Sequence, residues 1–170
     1  MVLFLFKLYY RLKGWKIGTP LPNDLKKCIV LAAPHTSNWD FVYGIVSVHL
    51  FKLKINYLAK RELFVWPTKN IFLQSGGILV ERKGHHHLVE NMIELIKSRD
   101  SIVLAIPPEG TRKAVKKWKT GFYHIAIGAN VPVVLGYIDY KTRTAGFGPA
   151  MYMSGDKEKD AKMIRSFYEK

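Results

Sequence analysis

The sequence predicts one α/β domain, with a mixed, mostly parallel sheet flanked by helices and an amphipathic helix at the N-terminus. Short apolar runs rich in strand formers alternate with segments of helical periodicity, which is the order typical of this class. The run 101–106 is nearly all apolar, as expected for a strand that is buried on both faces. The chain has 170 residues, of which 48% are hydrophobic, enough for one domain with a substantial core.

The N-terminal segment 1–17 predicts a helix that lies in a membrane interface. Its apolar bulk is interleaved with Lys, Arg, Tyr and Trp, and it is too short and too charged to span a bilayer. Its charges follow the apolar run, whereas a signal peptide carries them first. A terminal helix docked on the core is the alternative, and the charge of the whole chain favours the membrane. We therefore divide the chain into this helix and a domain over 26–170, joined by a linker at 18–24.

Residues 27–32 predict a short, buried apolar strand, and Pro34 predicts a sharp turn after it. Four residues then recur at spacings of four, three and four, which marks one face of a helix: Trp39, Tyr43, Val46 and Leu50. Three neighbouring polar residues are candidates for the cap of this helix: Thr36, Ser37 and Asn38.

The remaining elements follow from the same two periodicities. We expect strands at 54–59, 78–80, 101–106 and 131–136, and helices at 61–66, 85–99 and 122–129. Residues 137–153 predict extended segments with turns at 144–146 and 148–149, and the last strands are candidates for antiparallel pairing. The charged segment from Asp156 predicts a surface helix.

The formal net charge of +14 implies an anionic partner, because a stable domain has no structural need for such an excess. A lipid surface, a nucleic acid and an acidic carrier protein all fit this charge. The single cysteine, Cys28, lies in a predicted core strand, so no intrachain disulfide is possible and a reducing compartment is natural.

His35 and Asp40 are the first candidates for chemistry. His35 follows the 27–32 strand at its carboxyl end, where open α/β sheets keep their ligand crevices. Asp40 lies about one turn inside the next helix and is able to reach back to the imidazole. That pairing fixes one ring nitrogen as a donor and leaves the other free to take a proton. A lone histidine is more often a core or cap residue, so the hypothesis depends on further polar groups in the same crevice.

Two later segments supply such groups. Glu109, Gly110, Thr111 and Arg112 directly follow the buried 101–106 strand, where the glycine permits a tight turn and the guanidinium suits phosphate oxygens. Glu81 and Arg82 end the 78–80 strand. Read singly, each segment is a charged surface turn. Together they predict that three neighbouring strands deliver polar residues to one edge of the sheet.

These motifs resemble those of the glycerolipid acyltransferase superfamily, which includes the lysophosphatidic acid acyltransferases. The Asn-His-x-x-x-x-Asp block is matched by His35 and Asp40, with Pro34 in place of the Asn. The Phe-Pro-Glu-Gly-Thr-Arg block is matched over 108–112, with Pro107 in place of the Phe. Residues 79–82 match Phe-Ile-Asp-Arg more loosely, and 131–134 match a Pro-containing apolar strand. The four blocks occur in the order of the family.

The resemblance implies transfer of a fatty acyl group from an acyl carrier protein or coenzyme A thioester to a hydroxyl of a lysophospholipid, with 1-acylglycerol-3-phosphate as the best candidate. In this interpretation His35 is the general base and Asp40 orients it. Five residues bind substrate: Arg82, Glu109, Gly110, Thr111 and Arg112. We expect no metal and no cofactor beyond the thioester co-substrate. The expected location is the cytoplasmic face of the cell membrane, peripheral or monotopic, on an anionic surface.

Several alternatives differ in class. Three histidines, 85–87, suggest a metal hydrolase, but consecutive helical residues point about 100° apart and do not easily share one tetrahedral ion. The charge and the aromatic content also fit a nucleic-acid-binding module, although no such motif occurs and we expect no nucleic-acid partner. A lipid-binding protein without turnover and an acyltransferase acting on a phosphate-free, amino-acid-containing lysolipid remain open.

Overall fold

Parallel strands with helical crossovers build the core of this protein. The computed structural model describes residues 2–33, 37–60, 69–80, 87–110, 115 and 118–169. Its helices are α1 (Val2–Leu12), α2 (Asn38–Leu50), α3 (Lys69–Gln74), α4 (Leu88–Ser98), α5 (Gly121–Ala129) and α6 (Lys157–Tyr168). Its strands are β1 (Lys16–Ile17), β2 (Lys27–Ala32), β3 (Ile55–Lys60), β4 (Gly77–Val80), β5 (Ile102–Ile106), β6 (Val133–Asp139) and β7 (Thr144–Met151).

The seven strands form one sheet in the order β1-β7-β6-β2-β5-β3-β4. All neighbouring pairs are parallel except β6 and β7, which are antiparallel. Parallel neighbours need a crossover connection, and the helices between the strands provide it. The predicted α/β class, the mostly parallel mixed sheet and the antiparallel pairing of the last two strands are confirmed.

Strand β2 lies at the centre of the sheet and is covered on both faces. Ile29 and Leu31 point into a core built with α4, α5 and α6, and both are fully buried. Cys28 and Val30 point to the opposite face, where Val48 of α2 and Phe51, just after that helix, pack. Successive strand residues point to opposite faces of the sheet. Because both faces are covered here, nearly every residue of a central strand has to be apolar.

The expected turns at 144–146 and 148–149 are wrong. Strand β6 continues to Asp139, the chain turns at 140–143, and β7 runs unbroken from Thr144 to Met151. The Asp139 carboxylate fixes this turn by accepting hydrogen bonds from the backbone N–H of Lys141 (2.8 Å) and of Thr142 (3.3 Å). Gly146 is needed for close packing, since a Cβ there would lie 3.0 Å from the backbone nitrogen of Thr19.

Two helix predictions also change. The expected helix at 85–99 is α4, and its apolar stripe faces the core as predicted, with Met92 and Ile96 buried. The helix begins only at Leu88, with His87 at its N-cap position, and residues 85–86 lie outside the described ranges. Helix α3 was not predicted, and the expected helix at 61–66 lies wholly outside the described residues.

Helix α6 is more than the surface helix expected from its charges, because Asp160 and Ile164 are buried. The Asp160 carboxylate accepts hydrogen bonds from the backbone N–H of Ser154 (2.8 Å), the Ser154 hydroxyl (2.9 Å) and the Tyr123 hydroxyl (3.0 Å). Burial alone would raise the pKa of Asp160, but these hydrogen bonds outweigh it and hold the pKa below its ordinary value.

We expect Asp160→Asn to lower the free energy of unfolding by about 2 kcal/mol at neutral pH. Because the pKa of Asp160 is depressed in the folded state, its stabilisation is fully present above the unfolded pKa and is lost as the pH falls through the folded pKa. Urea unfolding of both proteins at neutral pH and at about pH 3 checks this. The difference in unfolding free energy between wild type and Asp160→Asn should be smaller at acid pH than at neutral pH. An equal difference at the two pH values would contradict the role of the Asp160 carboxylate.

Candidate functional site

The carboxyl ends of three adjacent strands meet at one edge of the sheet. Strand β2 lies between β5 and β6, parallel to both, with Leu31 aligned to Ile106 and Ala32 aligned to Gly136. The segments that follow these strands therefore open on the same side of the molecule. They carry Asp40 after β2, Glu109 and Gly110 after β5, and Tyr140 after β6.

Asp40 is held at the start of α2 by a reciprocal cap. Ser37 is the N-cap residue, one of the three candidates, and its hydroxyl accepts from the backbone N–H of Trp39 at 3.1 Å. The Asp40 Oδ2 atom in turn accepts from the backbone N–H of Ser37 at 2.7 Å. This capping box satisfies two helix-terminal donors and places the carboxylate in the first turn, where the helix dipole favours negative charge. Asp40 is only 4% exposed.

Tyr140 is the residue of this site that sequence reasoning missed. Its hydroxyl donates a hydrogen bond to the Asp40 Oδ1 atom across a sequence separation of 100 residues. Burial raises the pKa of Tyr140, and the hydrogen bond and negative charge of Asp40 raise it further, so the hydroxyl keeps its proton and donates. No direct sequence signal pointed to it, because the predicted strand ended at 136, whereas β6 continues to Asp139 and places Tyr140 directly after its carboxyl end.

An aromatic wall lies next to Asp40 and joins α1 to α2. Tyr9 of α1 stacks on Trp39 with ring centroids 5.5 Å apart, and Trp15 stacks on Tyr43 at 4.1 Å. A cavity of about 460 Å³ opens here, lined by Tyr9, Ser37, Trp39, Tyr43 and Tyr140. Its lining therefore combines aromatic rings with two residues that hydrogen-bond to Asp40, Ser37 and Tyr140.

The turn after β5 gives Gly110 a conformation suited to glycine. Its φ is +64°, and its N–H donates to the carbonyl of Pro107 at 3.1 Å. The Lys119 side chain crosses the turn so closely that a Cβ on Gly110 would lie 2.8 Å from Lys119 Cε. Sequence reasoning placed Lys119 only in a general basic run, and the structure brings its stem directly onto this turn.

Glu109 lies close enough to Tyr168 of α6 for its charge to act on the tyrosine hydroxyl. The Tyr168 hydroxyl donates to the carbonyls of Leu31 (3.1 Å), next to the last residue of β2, and of Gly136 (2.9 Å), in the middle of β6. Burial raises the pKa of Tyr168, and the charge of Glu109 raises it further. Tyr168 therefore fastens the last helix of the described chain to the strands that carry the site.

These features coincide with a match to a known protein family. The family model described as Acyltransferase matches residues 18–137, well over half of the chain and all four motif blocks. The chain belongs to the acyltransferase family. The resemblance noted from the motifs is thereby confirmed.

The acyltransferase-family relatives include 1-acyl-sn-glycerol-3-phosphate acyltransferases of two bacteria. The Haemophilus influenzae protein is 28% identical over 139 residues, which cover 76% of this chain and 56% of that protein. The Escherichia coli protein is 28% identical over 131 residues, which cover 71% of this chain and 51% of that protein. The chain thus spans about half the length of the curated relatives it matches.

A solved acyltransferase has the same fold. The crystal structure of the 1-acyl-sn-glycerophosphate acyltransferase PlsC from Thermotoga maritima superimposes with a TM-score of 0.66 at 18% sequence identity. The match covers 99% of this chain and 77% of that one. At this identity the likeness establishes the fold.

Of the site residues expected from the motifs, Asp40, Glu109 and Gly110 are described, and β2 and β5 bring them to one edge. The others, His35, Arg82, Thr111 and Arg112, lie outside the described ranges. The expectation of three neighbouring strands needs a correction. Strand β4, which precedes Arg82, ends at the same edge but is separated from β5 by β3. Strand order depends on long-range pairing, which the local pattern does not contain.

Cys28 is unsuited to act as a nucleophile. It is 1% exposed as the second residue of β2, and burial raises the pKa of its thiol to about 12. A thiol with this pKa stays protonated at neutral pH, and the thiolate is the reactive form.

Among the residues that the structure describes, no group of three or more His, Cys, Asp or Glu side chains is arranged to hold a metal ion. No helix in those described ranges is long and apolar enough to cross a bilayer.

Proposed function

We propose that this chain is an O-acyltransferase that moves a fatty acyl group from a thioester to the free hydroxyl of a lysophospholipid, with 1-acylglycerol-3-phosphate as the acceptor. The observation that carries the proposal is the buried Asp40 carboxylate, fixed at the start of α2 five residues after His35. Membership of the acyltransferase family and the names of its bacterial relatives support the reaction and the acceptor.

The chemistry needs a base because a hydroxyl is a poor nucleophile at neutral pH. His35 takes the hydroxyl proton as the oxygen attacks the thioester carbonyl, while Asp40 orients the ring and stabilises the imidazolium. The carbon–sulfur bond breaks, the ester bond forms, and the proton passes from His35 to the departing thiolate. Because the thioester is already activated, no covalent acyl-enzyme is required, which agrees with the inert Cys28.

The acceptor phosphate is bound by arginine forks in this proposal. In the sequence, Arg112 comes two residues after Gly110 and Arg82 comes two residues after the last residue of β4. Glu109, Gly110 and Thr111 shape the site, and Lys119 adds positive charge where its stem crosses Gly110.

We expect Arg112→Ala to raise the KM for 1-acylglycerol-3-phosphate about tenfold or more, since a charge-assisted hydrogen bond is worth about 1.5–3 kcal/mol. Steady-state kinetics with the acceptor varied measure this. Arg165→Ala, at an exposed arginine in the last turn of α6, is the matched control and should leave the KM unchanged. An unchanged KM in Arg112→Ala would remove the phosphate assignment.

Helix α1 seats the enzyme on an anionic membrane surface, at the cytoplasmic face of the cell membrane. Phe4, Leu5, Leu8 and Leu12 expose between 46% and 77% of their area on one side of the helix. The buried Tyr10 anchors the other side through its hydroxyl, 3.0 Å from Ser47 of α2. A helix with one exposed apolar side and interleaved basic residues suits the membrane interface.

The acyl donor is an acyl carrier protein or coenzyme A thioester. Both are anionic, so the excess of 27 Lys and Arg over 13 Asp and Glu suits either one. No other cofactor enters the proposed reaction.

The proposal is tested with a panel of lysolipid acceptors assayed against both thioesters. We expect turnover with 1-acylglycerol-3-phosphate and little with an amino-acid-containing lysolipid that lacks phosphate. The reverse preference would keep the reaction and overturn the acceptor. Binding to anionic vesicles without turnover of any acceptor would overturn the enzymatic proposal, and preference for DNA of matched charge would favour a nucleic-acid-binding protein.

A further inference from the structure

We propose that Tyr140 is a positioning residue for acyl transfer, holding the Asp40 carboxylate in the orientation that His35 requires. This inference rests on the proposed function, because it assigns Tyr140 a role in the same reaction. It adds to the motif-based site a residue from the turn between β6 and β7.

The two oxygens of Asp40 are held from two different parts of the fold. Oδ2 accepts from the backbone N–H of Ser37 at 2.7 Å, within the cap of α2. Oδ1 accepts from the hydroxyl of Tyr140, in the turn after β6. A carboxylate bound through one oxygen is still able to rotate about its Cβ–Cγ bond, whereas donors on both oxygens fix the plane of the group.

Tyr140 is itself held rigidly enough to act in this way. Its ring meets Trp15 edge-on at 5.3 Å and Tyr43 edge-on at 5.8 Å. Its backbone opens the turn that Asp139 fixes through Lys141 and Thr142. The donor is therefore in place before substrate arrives, and such prior organisation is what a positioned catalytic pair needs.

Because Asp40 is buried, the hydrogen bond from the Tyr140 hydroxyl is difficult to replace. The residue is 4% exposed, so bulk water is a poor substitute for a lost donor at Oδ1. Removing the Tyr140 hydroxyl should reduce the fraction of Asp40 carboxylates correctly oriented toward the base. Such a change lowers kcat and leaves acceptor binding largely intact.

The test is a double-mutant cycle of Tyr140→Phe and Asp40→Asn, with kcat and acceptor KM measured on anionic vesicles and labelled product used to follow slow variants. Phenylalanine keeps the ring contacts and removes only the hydroxyl. We expect Tyr140→Phe to lower kcat about tenfold with KM within about twofold. In the Asp40→Asn background the same substitution should have almost no further effect on kcat.

Tyr123→Phe is the matched control, since it also removes a tyrosine hydroxyl that donates to a buried aspartate, Asp160, and Tyr123 packs on the sheet face opposite α2. Its kcat should equal that of wild type. Urea unfolding of the same variants measures the Tyr140–Asp40 coupling independently of activity.

The outcomes separate the two proposals. An active wild type in which Tyr140→Phe costs the same fold in both backgrounds, or nothing in either, would overturn the role of Tyr140 and leave the proposed function standing. A wild type that transfers no acyl group would overturn the proposed function and with it this role, even where the unfolding data show coupling.

Discussion

Replacing His35 by alanine should lower kcat by about a hundredfold to ten-thousandfold, the usual contribution of a general base. In the proposed mechanism the substitution removes the group that takes the hydroxyl proton and leaves the arginines proposed to bind phosphate, so the acceptor KM should change little. Asp40→Asn should also lower kcat, because an amide neither orients the imidazole in the same way nor stabilises the imidazolium. Thiol release from the acyl thioester in the presence of 1-acylglycerol-3-phosphate measures both variants.

His49→Ala is the matched control for this prediction. His49 is exposed in the last turn of α2, at the opposite end of the helix from Asp40, and its removal should leave kcat unchanged. Circular dichroism and urea unfolding establish that each variant is folded. A folded His35→Ala protein with wild-type turnover would show that the base is another group.

Replacing Phe4, Leu5 and Leu8 together by serine should weaken binding to anionic vesicles by about a hundredfold. All three expose much of their area on one side of α1, and each contributes about 1 kcal/mol when half of its apolar surface enters the interface. Turnover on vesicles should fall in parallel. Turnover with a short-chain, water-soluble acceptor should remain, because the aromatic contacts from Tyr9 and Tyr10 to α2 are preserved.

Three exposed apolar residues far along the chain provide the control: Ile127, Tyr152 and Met163. Their combined replacement by serine removes a similar amount of exposed apolar surface and should leave vesicle affinity within about twofold, since they are not on α1. Sedimentation with vesicles containing an anionic lipid measures both triple variants. Equal affinity of wild type and the α1 variant would rule out this helix as the membrane contact.

Local sequence patterns were sufficient to predict the central strand β2 and the start of the helix that follows it. Strand β2 begins and ends where its apolar run does, and Ser37 was among the three predicted caps of α2. In both cases the signal lies within a few consecutive residues. The position of Asp40 in the first turn followed directly, because the cap sets where a helix begins.

Long-range features could not be predicted in the same way. The contact between Tyr140 and Asp40 joins residues 100 positions apart, and it depends on β6 lying beside β2. The insertion of β3 between β4 and β5 also depends on long-range strand pairing, which no local pattern contains. Gly146 was assigned to a turn because glycine is frequent there, whereas the approach of Thr19 to β7 requires it.

The most direct test of the account is the fate of a labelled acyl group presented to the wild-type protein as a thioester, together with 1-acylglycerol-3-phosphate in anionic vesicles. The account predicts one labelled ester on the acceptor for each thiol released, at a rate proportional to the protein added. Thiol release with the label recovered as free fatty acid would mean that water is the acceptor and would contradict acyl transfer. An intact thioester after many expected turnovers would contradict the catalytic claim altogether.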